Sequence, residues 1–199
     1  MRGAVGFVVT AFLATAAVGC SAGEKVITAP AASSASASAL AVRASSSSDT
    51  PSAEPSPSDS AVVGDTVNLT GLEDGQALAV TVVKVVDPAR AENPYATPKA
   101  GKRFVAVQFR LKNTGTAVYS DSPGNGARLV DTAGQRFDET YGDTAAGPGF
   151  PGSVTAAPGD TALGFISFEV PSTSTIARVQ FTMSSGFADN TGQWNVPAR

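Results

Sequence analysis

Apolar and polar residues alternate with a period of two across Arg103–Lys112. Val105, Val107, Phe109 and Leu111 fall on one face, and Gln108, Arg110 and Lys112 on the other. Successive strand side chains point to opposite sides, so this run predicts a half-buried β-strand, closed by Asn113-Thr-Gly115. Asp65–Thr70 reads as a first strand and Ala77–Val86 as a long second one. Ala127–Val130 and Gln135–Asp138 flank Asp131-Thr-Ala-Gly134, whose residue types predict a hairpin turn. Farther on, Ala162–Val170 places Ile166, Phe168 and Val170 inward, and Ile176–Met183 does the same for Val179, Phe181 and Met183. Gln193–Val196 predicts a final short pairing. No helical stripe follows the signal-peptide segment. Many short strands between turn signals predict an all-β fold over residues 62–199, an antiparallel two-sheet β-sandwich of immunoglobulin-like architecture. The antibody hallmark of two cysteines around a central tryptophan is missing, since Trp194 lies near the C-terminus.

A different pattern occupies the first third of the chain. Met1 and Arg2 give a positive start, and Ala4–Val18 runs without a charge. An apolar run of about 15 residues is shorter than the ~20 that cross a bilayer, and it fits the core of a signal peptide spanning residues 1–19. From Ser21 to about Ser60 the chain is rich in Ser, Ala and Pro, as in Pro51-Ser-Ala-Glu-Pro-Ser-Pro-Ser58. Too little apolar surface is present there to offset ordering entropy, so residues 20–61 are expected to form a disordered tether. Its coil dimension of ~35 Å would lift the domain away from any attachment point.

Composition narrows the chemistry. Histidine is absent and there is one cysteine, Cys20, among 199 residues. Those absences remove Ser-His and Cys-His nucleophilic sites, Cys/His zinc sites and any internal disulfide. A formal charge of −3 gives no basic patch for nucleic acid. No cofactor is expected.

The string Ala17-Val18-Gly19-Cys20 resembles the lipobox of bacterial lipoproteins, with Ala17 where leucine is most usual. The resemblance implies cleavage before Cys20, a diacylglyceryl thioether on its sulfur, and anchoring to the outer face of the cell membrane. Acyl burial at about 0.8 kcal/mol per CH₂ makes two chains a stable anchor. Two other readings stay open: an ordinary signal peptide ending at Gly19, and an uncut segment.

Three strings, taken in order, resemble a further family. They are Gly101-Lys-Arg-Phe-Val-Ala-Val-Gln-Phe-Arg-Leu-Lys-Asn-Thr-Gly115, Leu129-Val-Asp-Thr-Ala-Gly-Gln-Arg-Phe137 and Pro158-Gly-Asp-Thr-Ala-Leu-Gly-Phe-Ile-Ser-Phe-Glu-Val-Pro171. The family is the domain-of-unknown-function group described as immunoprotective extracellular, immunoglobulin-like, common in Gram-positive lipoproteins. The resemblance covers about Gly64 to Val196 and implies a β-sandwich displayed outside the cell. It brings no catalytic or binding motif.

Three local features are candidates for contact or chemistry. Tyr95 lies between Pro94 and Pro98 in the connection Pro88–Gly101, and Phe150 lies within Gly147-Pro-Gly-Phe-Pro-Gly152. Either aromatic serves as a partner anchor if exposed, or as a cover for the sandwich if it packs back. Asp138, Glu139 and Asp143 form an acidic set that offers hard oxygen ligands for Ca²⁺, with a solvated turn as the plainer reading. Asn68-Leu-Thr70 has the form of a glycosylation sequon. The function expected is a non-catalytic, membrane-anchored binding or accessory module with a cell-envelope protein or glycan partner. A carboxylate- or metal-dependent hydrolase of wall polymers is the alternative, and a plain structural spacer is the third reading.

Overall fold

A computed structural model describes residues 25–31 and 60–198. The signal-peptide segment, Cys20 and residues 21–24 and 32–59 of the expected tether lie outside the described residues. In chain order the strands are β1 (Lys25–Ile27), β2 (Thr66–Thr70), β3 (Ala77–Ala89), β4 (Lys102–Asn113), β5 (Tyr119–Asp121), β6 (Ala127–Asp131), β7 (Arg136–Phe137), β8 (Val154–Ala156), β9 (Thr161–Pro171), β10 (Ile176–Thr182) and β11 (Asn190–Asn195). One helical turn, α1 (Pro123–Gly126), and one turn with left-handed backbone at Ser184 and Ser185, α2 (Met183–Gly186), sit between strands.

Alternation makes these strands a sandwich. One sheet has the order β1-β11-β10-β6-β7 and the other β2-β3-β4-β9, with β5 and β8 paired in a small third sheet. Val105, Val107, Phe109 and Leu111 of β4, Ile166, Phe168 and Val170 of β9, and Val179 and Phe181 of β10 are all buried in one core, as their spacing predicts. The hairpin at Asp131 also forms: its Oδ1 accepts hydrogen bonds from Ala133 N and Gln135 N and locks the turn between β6 and β7. Trp194, near the C-terminus, is fully buried, and its Nε1 donates to Asp65 O at 3.0 Å. It pins the last strand to the chain entering β2.

The outer face of β4 departs from simple alternation. Phe104 and Ala106 point away from the main core yet are buried, joining Ala89 and Phe165 in a second cluster. Period two predicts which face a residue occupies; it cannot show that loops cover the far face.

Three connections differ from expectation. The segment Pro88–Gly101 does not begin as a loop, because β3 continues through Pro88 to Ala89. A register shift between Val86 and Ala89 leaves room there for a residue without an N–H. The short β5 and β8 are too brief to show a period in sequence. Most consequentially, the expected tether contains β1. Lys25, Val26 and Ile27 pair in parallel with Asn190, Thr191 and Gly192 of β11. Ile27 packs against the core, which explains why these residues leave an otherwise polar stretch to cover a sheet edge.

Candidate functional site

β9 forms one edge of its sheet, and the chain after β7 wraps around that edge. Glu139 bridges Phe168, and Thr140 N donates to Ser167 O at 2.8 Å. Farther along, Gly149 pairs in parallel with Phe165, whose N donates to Pro148 O at 2.9 Å. Between these two attachments the segment stands off the strand and leaves an open groove of about 660 Å³. Its lining includes Glu92, Glu139, Tyr141, Asp143, Phe150 and Phe165.

Each wall has a local cause. Phe150 is half-buried and packs against the main core while its ring also lines the groove. It can lie there because position 164 is glycine: a Cβ on Gly164 would meet Phe150 Cγ at 2.7 Å. Opposite, the Glu139 carboxylate lies directly over Gly124 of α1, in space that any larger residue would fill. Burial raises the carboxyl pKa of Glu139 above its usual value, partly offset by the positive charge of Arg128. Tyr141 stands almost free on the rim, 98% exposed. Glu92 N donates to Asp143 O at 3.0 Å, joining the β3–β4 loop to the same wall.

The groove therefore gathers Phe150, Glu139 and Asp143 and adds Tyr141 and Glu92. Lys, Arg and His are absent from its lining. Carboxylates beside aromatic rings suit a ligand that carries positive charge or hydroxyl donors together with an apolar face.

The other candidates are placed elsewhere. Tyr95 is 97% exposed on the β3–β4 loop and is not part of the groove. Asn93 Oδ1 accepts from Tyr95 N and Ala96 N, a tight turn that holds the ring out instead of folding it onto the sheet. The acidic triplet does not form a metal cage. Asp138 turns away to pair with Arg128, Nε to Oδ1 at 2.7 Å, while Glu139 lies against α1. Among the described residues no group of three Asp, Glu, His or Cys side chains could hold a metal ion. Tyr141 was legible only as an aromatic in a polar turn next to Gly142, a signal too weak to single out.

The family described as Domain of unknown function (DUF4352) matches residues 63–191. Among solved structures, the secreted Mycobacterium tuberculosis protein MPT63 is 17% identical, covering 67% of this chain and 94% of its own, with a TM-score of 0.47. The yjhA protein of Bacillus subtilis is 18% identical, covering 69% of this chain and 99% of its own, with a TM-score of 0.47. An uncharacterized β-sandwich protein of Clostridium difficile is 11% identical, covering 67% of this chain and 91% of its own, with a TM-score of 0.36. Comparison with curated proteins finds no match.

Proposed function

The chain belongs to the DUF4352 family of domains of unknown function, and from that premise we propose that it is an exported, lipid-anchored recognition module of the cell envelope that binds its partner in the β9 groove. The groove itself carries the reading: Glu139, Tyr141, Asp143 and Phe150 converge on one open cleft of ligand size. Its chemistry selects an envelope component with amine or multiple hydroxyl groups, a glycan or a basic protein segment, and it disfavours anionic ligands. Export and anchoring rest on the charge-free Ala4–Val18 run and on Cys20, the only cysteine. The immunoprotective, immunoglobulin-like grouping is part of this same proposal.

We read the module as non-catalytic because Ser-His and Cys-His nucleophilic sites need a histidine, which the sequence lacks. Labelled envelope extract, separated into protein, glycan and peptidoglycan fractions, is to be passed over the immobilised chain. Saturable retention of one fraction is expected; no saturable partner in any fraction overturns the reading.

One observation favours a second reading. A carboxyl raised by burial beside further carboxylates is the arrangement used for general acid catalysis of glycoside cleavage, and Glu139 meets the first condition. Turnover of a wall glycan that disappears in Glu139→Gln would replace binding with hydrolysis.

A further inference from the structure

The described part of the N-terminal region changes where the domain begins. Lys25 N donates to Asp189 O at 2.9 Å, Ala61 N to Thr28 O at 2.5 Å, and Ala31 N to Thr66 O at 2.6 Å. Residues 25–31 therefore cross from the edge of one sheet to the edge of the other as an integral strap. Among the described residues the strap, and not residue 61, is the attachment to the sandwich nearest in sequence to Cys20. Only residues 21–24 separate Cys20 from the strap. Fully extended, the Cys20–Lys25 span reaches at most ~18 Å, against a mean of ~35 Å for a coil running to residue 61.

The strap enters at one end of the sandwich, and that end is apolar at its tip. Phe187 is 77% exposed, Leu72 56% and Val26 44%. Phe187 and Leu72 belong to one cluster of turns: Leu72 N donates to Ser184 Oγ at 3.2 Å, and Phe187 N to Ser184 O at 3.1 Å, while Val26 follows Lys25 on strand β1. The turn presenting Phe187 is held in a costly shape. Ser184 and Ser185 have φ of 54° and 55°, a left-handed conformation unfavourable for residues with a Cβ. Asp121 fixes it, accepting from Ser185 N at 3.0 Å and from Ser185 Oγ at 2.6 Å. Glu73, Asp74 and Asp189 border the tip beside Lys25, so the attraction to a bilayer comes from apolar insertion and not from anionic headgroups.

We infer that the bilayer surface covers this end: the short leader from Cys20 holds the sandwich against the membrane with Phe187 and Leu72 in the interface, and presents the Tyr95 loop outward. Tyr95 lies at the far end because β3 and β4 run from the Leu72 turn to the loop that carries it. This inference rests on the lipid anchor of the proposed function, and its test separates the two. Full-length chains carrying Phe187→Cys or Ala133→Cys are labelled with NBD, since the thioether leaves the new thiol as the one free to react. They are then reconstituted in phosphatidylcholine vesicles containing doxyl-labelled lipid. Ala133 sits in the β6–β7 turn, whose Thr132 N donates to Thr175 O at the end away from Phe187.

The expected result is blue-shifted emission at 187, quenched several-fold more than at 133. Equal, water-like emission at both positions in vesicle-bound protein overturns the orientation while leaving the anchor intact. A chain that fails to float with vesicles overturns anchor and orientation together. In the Cys20→Ala background the 187 probe should stay water-like without lipid; a concentration-dependent blue shift there means that a second copy covers the patch, and overturns the membrane contact.

Discussion

Phe109 of β4 and Phe181 of β10 meet across the sandwich with ring centroids 5.5 Å apart and planes inclined at 45°. Each comes from a different sheet and both are fully buried, so their contact joins the two layers at the centre of the core. Tilted aromatic pairs at this spacing add to simple burial. Replacing either with alanine should cost ~3–5 kcal/mol, read as a fall in urea midpoint with little change in slope. The double variant should cost less than the sum of the two, because the residues share one cavity.

Arg103 is the polar counterpart at the far end of β4. Its Nε and Nη2 reach Asp87 Oδ1 and Oδ2 at 2.6 and 2.8 Å, and its Nη1 and Nη2 also bind Pro171 O and Ser174 O. One guanidinium thus ties β3, β4 and the turn after β9. Arg103→Met leaves the mostly buried Asp87 and two carbonyls without these donors and should cost ~2–4 kcal/mol by thermal or chemical melting. Arg103→Lys should recover only part, since one ammonium cannot reproduce the fork.

Glu139 sets a pH dependence whose sign can be worked out. Burial raises its pKa in the folded state, with Arg128 opposing, so over the window between the unfolded and folded values the native state binds more protons. Stability therefore falls as pH rises through that window, and the loss persists above it. Glu139→Gln should match the parent in acid and become the more stable of the two toward neutral pH. Melting both proteins across a pH series checks this; a constant difference at all pH values would show that the side chain acts through packing alone.

Removing the strap should be costly as well as disordering. A chain starting at Ser60 loses the pairing of Lys25–Ile27 with β11 and exposes that edge. Compared with a chain starting at Ser21, it should melt with ~1–3 kcal/mol less stability and associate through the open edge, visible by light scattering.

Much of this architecture was legible because alternation is a strong signal wherever one face meets a core. Val105 to Leu111, Ile166 to Val170, Val179 and Phe181 all fall where their spacing places them. Signals failed where tertiary contacts decide. Val26 and Ile27 are too short a run to announce a strand, and their pairing depends on an edge more than 160 residues later. Pro88 reads as a strand breaker unless the register shift beside it is known. Phe104 looks outward by period, yet a covering loop buries it. At the site, Phe150 and the carboxylates stand out in the sequence only as separate local features. Their convergence comes from how 139–150 attaches to the β9 edge at both ends, and no local pattern encodes that. Tyr95 reads from sequence as either an anchor or a cover; the sandwich leaves it exposed but outside the groove.

Gly164→Val offers a way to damage the groove from beneath. Its side chain must displace the Phe150 ring and the backbone N of Phe150, while its own neighbours in β9 remain paired with β4. The variant should stay folded, with local changes confined to 147–152 in hydrogen exchange, and should bind any groove ligand at least tenfold more weakly, about 1.4 kcal/mol.

Equilibrium binding of the retained envelope fraction to the parent chain and to Tyr141→Ala, Glu139→Gln and Tyr95→Ala tests the central claim most directly. The groove account predicts that the first two substitutions weaken binding roughly tenfold or more, while Tyr95→Ala leaves it unchanged. Undiminished binding by both groove variants, or loss confined to Tyr95→Ala, would contradict it.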